Sequence, residues 1–408
     1  MASTTQLFSD MAEQHQLQSS EHPPAQPAYI LRGHPAQIHA VHFFRGNSRL
    51  LTGDANGWVV LWSTSTKRAV AVWKPHANTI LGVGNWGDDK IITHARDNKI
   101  HVWQLRADDE KDYNTTLPID SPESAELKSP WLLHTLPVNA LNFCAFSMTH
   151  ALRQGTHDVP VEGIFLGTPG LQDGSVNITS LPAEGRVATI PKPASIENAG
   201  MTMAIGLTFT TENGSSTKDL IALTGYESGH ACIWKQPSAS SSSSSNKKWQ
   251  CIYSVKSHAQ PILSLGIAAQ SGVFFTSGAD AIISRHPLKP NMASTMTSSS
   301  LQSKHAGQQG LTVRNDEKIF ATAGWDGRMR VYSTKAMKEL AVLKWHKEGC
   351  YALGFAHVQD DTRNSDADDD TMVQKSMTVA EKRDEKARMT HWLAAGSKDG
   401  KVSMWNIY

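Results

Sequence analysis

From Gly33 to Trp103 the chain spells out one pattern twice. Gly33-His34 opens the first copy, Ile38, Val41, Phe43 and Phe44 make an apolar run, Arg45-Gly46-Asn47 a turn, and Leu50 to Gly53 a second run. Asp54-Ala55-Asn56-Gly57 then turns the chain into Trp58 to Trp62, and Ala69 to Trp73 follows as a fourth run. His76 restarts the series, and Trp103 ends its third run 41 residues after Trp62. Short alternating runs punctuated by Gly, Asn and Asp read as strands and turns, four to a copy.

The turn Asp-Gly followed by alternating apolar residues and Trp recurs five more times. The copies are Asp173 to Thr179, Ser228 to Trp234, Asp280 to His286, Asp326 to Tyr332 and Asp399 to Trp405, which makes seven. An opening histidine recurs at His34, His76, His134, His258, His305 and His346, the fourth copy lacking one. Six residues on stands a small side chain, at Ala40, Gly82, Ala140, Ser264 and Ala352, with Gly310 one place early. An apolar residue follows at Val41, Val83, Leu141, Leu265 and Leu353. A repeat of about 40–45 residues with these signatures is that of a four-stranded propeller blade. Small residues in one column suit innermost strands crowded around a narrow channel. The expectation is an all-β, seven-bladed ring over residues 28–408, with 1–27 a tail too polar to fold alone.

The seventh copy ends at Tyr408 with three strands of its own. Tyr29-Ile30-Leu31 is the expected donor of the fourth, joining the two ends of the chain and covering an open edge. Departures from the repeat are insertions. Ala107 to Pro130, Gln236 to Lys248 and Leu288 to Lys304 fall between third and fourth strands; Thr149 to Val161, Thr211 to Lys218 and His357 to Arg388 fall between first and second. Connections alternate between the rims of an antiparallel meander, so every long insertion is expected on one rim. The other rim keeps short turns, and a pre-ordered surface binds a partner at little entropic cost. Asp54, Arg96, Tyr226, Glu227, Trp325 and Lys398 stand in its tight turns, with His39 and Tyr351 where inner strands begin, and these are the candidate partner-binding residues. Trp325 and Tyr226 are the aromatic anchors of that set.

Lys and Arg number 39 against 38 Asp and Glu, a formal charge of +1, so no broad field favours nucleic acid or an anionic membrane, and the expected partners are proteins. No apolar run is long enough to span a bilayer, and the first residues carry neither a secretory signal nor a basic transit peptide. Cys144, Cys232, Cys251 and Cys350 match no zinc or redox spacing; Cys144 and Cys232 are read as small apolar residues of strands. The acidic run Asp360 to Asp370 lacks the glycine and terminal glutamate of a calcium loop, and the segment 357–388 reads as solvated charge. The serine-rich run 239–245 reads as a flexible linker. No nucleophile elbow, phosphate loop or metal-protease motif is present, and the opening histidines read as structural. The chain is expected to be no enzyme and to need no cofactor or metal.

The repeats resemble the WD-repeat β-propellers. More narrowly, Tyr29-Ile30-Leu31-Arg32-Gly33-His34, Leu51 to Gly57, the Trp58 to Trp62 strand and Trp405-Asn406 are similar to the WD-repeat subunits of the fungal ASTRA assembly and their animal G-protein β-subunit-like relatives. The resemblance implies a scaffold in a nuclear complex, with the cytoplasm a second compartment, that serves chromatin remodelling and the maturation of phosphatidylinositol-kinase-like kinases beside a cochaperone. Thr179, His286 and Tyr332 replace the blade tryptophan. A ubiquitin-ligase substrate receptor is the alternative, but such receptors carry Trp-Asp-x-Arg, whereas Ser63, Gln104, Lys235 and Asn406 follow the tryptophans here.

Overall fold

The computed structural model describes residues 25–407 apart from 121–127, 140–142, 153–159, 212–217, 237–247, 291–297 and 360–376. Strand β1 (Tyr29–Leu31) precedes the first blade, which holds β2 (Ile38–Phe44), β3 (Arg49–Asp54), β4 (Val59–Ser63) and β5 (Ala69–Trp73). Blade 2 holds β6 (Ile80–Trp86), β7 (Lys90–Ala95), β8 (Lys99–Gln104) and β9 (Trp131–Pro137). Blade 3 holds β10 (Ser147–Leu152), β11 (Pro160–Pro169), β12 (Val176–Leu181) and β13 (Gly185–Ile190). Blade 4 holds β14 (Thr202–Thr211), β15 (Lys218–Tyr226), β16 (His230–Lys235) and β17 (Gln250–Lys256). Blade 5 holds β18 (Ile262–Ala268), β19 (Val273–Gly278), β20 (Ile282–Pro287) and β21 (Ser299–Gln302). Blade 6 holds β22 (Gln308–Val313), β23 (Ile319–Gly324), β24 (Arg328–Ser333) and β25 (Glu339–Lys344). Blade 7 holds β26 (Cys350–Phe355), β27 (Trp392–Ser397) and β28 (Val402–Asn406), with the helix α1 (Val379–Met389) between its first two strands.

Each blade is a four-stranded antiparallel sheet, and the seventh borrows its outer strand from the start of the chain. Tyr29 pairs with Met404, Ile30 with Ser403 and Leu31 with Val402, so the two ends close the ring as the sequence predicts. A lone blade has two apolar faces and no core. The apolar side chains sort into seven clusters, each filled by two neighbouring blades; Leu31, Ile38, Trp62, Trp392 and Met404 form the one at the closure. Glycine at the end of the second strand admits the first side chain of the next blade. A Cβ on Gly53 would stand 2.6 Å from Ile80, one on Gly225 2.5 Å from Ile262, and one on Gly396 2.4 Å from Ile38. The last of these contacts crosses the closure and repeats the others.

Three expectations are corrected. Blade 3 begins at Ser147, so His134 lies on the outer strand of blade 2, where it bonds Glu184 at 2.6 Å; Ala140 and Leu141 lie outside the described residues. The stretch 288–304 contains the outer strand β21, and β10 and β11 take residues at both ends of 149–161. Residues 379–389 are helical. Thr378 caps the helix, accepting from the Glu381 amide while the Glu381 side chain accepts from the Thr378 amide, and this Thr-x-x-Glu box was readable in the sequence. The serine-rich run 239–245, the acidic run 360–370 and residues 1–24 of the tail lie outside the described residues.

The long rim is also more ordered than insertions suggest. Residues 106–120 return to blade 1, where Val72 donates to the Asn114 carbonyl and Ile119 to that of Gly33. Glu110, nearly buried, takes Arg49 at 2.6 Å and also Arg45. Asn47 donates to the carbonyls of His357 and Arg388, tying the blade 7 insertion to the first turn of blade 1.

Candidate functional site

The tight turns on the short rim are held from inside. In blade 1 the Trp62 indole donates to Thr52 Oγ1 at 2.8 Å, the Thr52 hydroxyl meets His34 Nε2 at 2.7 Å, and His34 Nδ1 meets the Asp54 carboxylate at 2.9 Å. Asp54 in turn accepts from the amides of Asn56 and Trp58. Every buried polar atom in this chain of contacts has a partner, the condition under which such a network stiffens a core. Blade 2 repeats it with Trp103, Thr93, His76 and Asp97. Blade 5 puts His286 in the tryptophan's place, so that Thr276 Oγ1 is shared by His258 at 2.9 Å and His286 at 3.0 Å, with Asp280 beyond.

Blade 7 moves the hydroxyl across the ladder. Ala395 stands where blade 1 has Thr52, and its cross-strand neighbour Ser403 supplies the oxygen to both His346 and Trp405 at 2.9 Å. Burial works against the charge of Asp399, yet hydrogen bonds from His346 and Lys401 outweigh it and bring its carboxyl down to about 2. Blade 6 corrects the sequence expectation. His305 is too close to the first strand by one residue; its side chain is 40 % exposed, 3.7 Å from Asp326, and Gln308 takes the inner seat by accepting from Thr322 at 2.7 Å. Arg330 completes that blade with Asp326 at 2.6 Å.

This scaffold presents two concentric sets of side chains. One residue of the first strand is bulged out of register at its short-rim end in six blades, giving His39, Leu81, Met203, Leu263, Gln309 and Tyr351, all half-buried. Bulges re-aim side chains, and here they stand at the start of the innermost strands, around the channel mouth. Outside them lies one turn position whose amide is anchored to the link entering the same blade. Ala55, Arg96, Glu227, Ala279, Trp325 and Lys398 donate to Gln37, Thr79, Met201, Pro261, Gly307 and Gly349 at 2.8–3.0 Å. Their backbones are fixed while their side chains face solvent.

Arg96, Glu227, Trp325 and Lys398 therefore lie exposed in one ring, and His39 and Tyr351 lie inside it, stacked with ring centroids 5.3 Å apart. Trp325 is 48 % exposed; its ring covers Gly307 and its indole donates to Gln309, joining the two sets. The Arg96 guanidinium lies 4.5 Å from the centre of the exposed Phe143 ring. Burial holds His39 below its ordinary value, with Asp54 opposing and Arg96 reinforcing, which leaves the imidazole neutral at physiological pH.

Asp54 and Tyr226 are corrections, since both are fully buried and have no surface to offer. They stand three residues before the turn glycine, where the others stand two before it, or two before Asn98 in blade 2, and that step turns a side chain inward. Tyr226 belongs to the core between blades 3 and 4. The sequence missed the bulged positions Leu81, Met203, Leu263 and Gln309; Leu81 and Leu263 had a signal, standing five after the blade histidine as His39 does after His34, whereas Gln309 stands four after His305 and blade 4 has no histidine to count from. Cys144 lies in the link before β10 and not on a strand, although it is buried. Among the described residues no His, Cys, Asp and Glu gather as a metal site.

Seven four-stranded blades, three of them tied by a complete His-Asp-hydroxyl-Trp network and a fourth by the same network with His286 for the tryptophan, define a WD-repeat β-propeller. A family model described as "WD domain, G-beta repeat" matches residues 25–63, the closing strand and most of blade 1. "ASTRA-associated protein 1" of Penicillium rubens is 44% identical over 94% of this chain and 98% of its own length. The protein of that name from Aspergillus flavus is 42% identical over 95% and 98%, and that of Schizosaccharomyces pombe 29% over 94% and 99%. The chain belongs to the ASTRA-associated protein 1 family.

Proposed function

We propose that this chain is the WD-repeat scaffold subunit of an ASTRA assembly, which it joins through the short rim of the propeller. The observation that carries this reading is the ring Arg96, Glu227, Trp325 and Lys398, where backbones fixed by main-chain hydrogen bonds present exposed side chains. Exposed aromatic and arginine side chains on an ordered base are the usual anchors of protein interfaces. Family membership supports the choice of assembly, and the name of the relatives supports association with it. By the same reasoning the work is nuclear, in chromatin remodelling and in maturation of phosphatidylinositol-kinase-like kinases with their cochaperone.

Affinity purification of the tagged full chain from nuclei tests this. Recovery of the kinase-cochaperone subunits in stoichiometric amount is the expected result. A cullin-linked adaptor in their place would assign the chain to a ubiquitin ligase.

A further inference from the structure

The near-neutral net charge conceals a divided short rim. Over blades 6, 7, 1 and 2 the exposed cations include Arg96, Lys99, Lys347 and Lys398. The carboxylates of the same arc are used internally: Asp97 by His76 at 3.0 Å, Asp399 by Lys401 at 3.3 Å and by His346, and Asp326 by Arg330 at 2.6 Å. Glu348 is the exposed exception, with no ion pair among the described residues. Over blades 3 and 4 exposed carboxylates outnumber cations, with Asp173, Glu197 and Glu227 beside Lys192 and Lys256. The apolar surface falls on the basic side. Tyr351 stacks on His39, and Trp325 stands exposed on the neighbouring turn, its ring over Gly307 and its backbone against Gly349, which also meets Tyr351; Arg96 and Lys398 stand on neighbouring turns of the same rim.

Resting on the scaffold reading above, we propose that this arc docks an acidic segment of a partner protein, whose Asp and Glu side chains meet Arg96, Lys99 and Lys398 and whose aromatic residue packs against the exposed Trp325 beside the Tyr351–His39 stack. The chemistry selects both parts. Cations whose own carboxylates are already engaged attract a polyanion at long range, and the match of sign sets partner choice more than affinity. Trp325 and the Tyr351–His39 stack supply the apolar contact that a purely electrostatic encounter lacks. An acidic segment that approached from blades 3 and 4 would meet repulsion, so the division of charge also fixes its direction.

The probe is a fluorescein-labelled peptide of Asp and Glu with one central Phe, titrated against the full chain by anisotropy, beside a Lys-substituted version and an oligouridylate of equal length. Binding of the acidic peptide alone is expected, weakening at least tenfold in Arg96→Glu/Lys398→Glu and unchanged in Glu197→Lys, with equal melting temperatures throughout. Trp325→Ala is expected to weaken the Phe-containing peptide but not an all-acidic one. Equal binding of the Lys peptide, tighter binding of the RNA, or indifference to the double charge reversal overturns the proposal. Purification of the same double variant from nuclei separates the two readings. Loss of the complex seen with the unaltered chain supports both; a complex retained by the variant sinks the acidic-segment proposal and leaves the scaffold; no complex with either chain sinks the scaffold.

Discussion

The two rims of this propeller solve the same problem in opposite ways. On the short rim the turns of blades 1, 2, 5 and 7 are held by relays that lie inside the blade, such as Trp62-Thr52-His34 ending on Asp54, and the side chains of Arg96 and Lys398, one residue further on, face solvent. On the long rim the insertions are held by their side chains, with Glu110 gripping Arg45 and Arg49 and Asn47 gripping the carbonyls of His357 and Arg388. Separating what holds a loop from what it displays leaves one rim free to diversify. The other rim is committed to its own architecture.

Four changes test that contrast, taken from the largest effect downward. Glu110→Ala leaves Arg45, whose side chain is 9% exposed, without its carboxylate, and removing one partner of a buried pair costs about 3 kcal/mol; a denaturant midpoint that does not move would mean the strap merely rests on blade 1. Thr52→Val strands the Trp62 indole and His34 Nε2 together, each stranded group costing ~1–3 kcal/mol. The same change at Thr168, which stands in the equivalent place in blade 3 where no histidine or tryptophan among the described residues bonds to it, is expected to cost less, and equal losses would deny the relay its role.

The third test is acid. Burial pushes His94 from 6.5 down to about 3, with His76 adding to the shift, and His286 is held down to about 3 by burial and His258. Below pH 6.5 the unfolded chain binds protons that these folded sites refuse, so stability is full above 6.5 and falls as the pH drops toward 3. One such group accounts for roughly 1 kcal/mol at pH 5.5. His94→Phe is expected to flatten the decline between pH 7.5 and 5.5 in thermal melts; an unaltered slope would assign it elsewhere. The smallest effect belongs to the short rim, where Arg96→Ala and Lys398→Ala are each expected to change stability by less than about 0.5 kcal/mol. A larger loss would show that these side chains hold their turns after all.

The ring was legible because its determinants are local and repeated. Seven turn motifs fixed the blade count, and the missing fourth strand of the last blade pointed to Tyr29-Ile30-Leu31. Errors arose where one residue of spacing decides the outcome. His305 precedes its strand by three residues and not four, so Gln308 displaces it. Asp54 and Tyr226 stand one place before the exposed ring and face inward. The order of the long rim was hidden for a different reason: the return of residues 106–120 to Arg45 and Arg49 depends on contacts between distant segments, which no local pattern announces.

The most direct measurement is amide hydrogen exchange on the chain alone and within its native assembly. Added protection confined to residues 52–58, 93–99, 322–328 and 395–401, with 106–120 and 379–392 exchanging as in the free chain, is the predicted result. Protection of the strap and helix with the short rim unchanged would contradict the account.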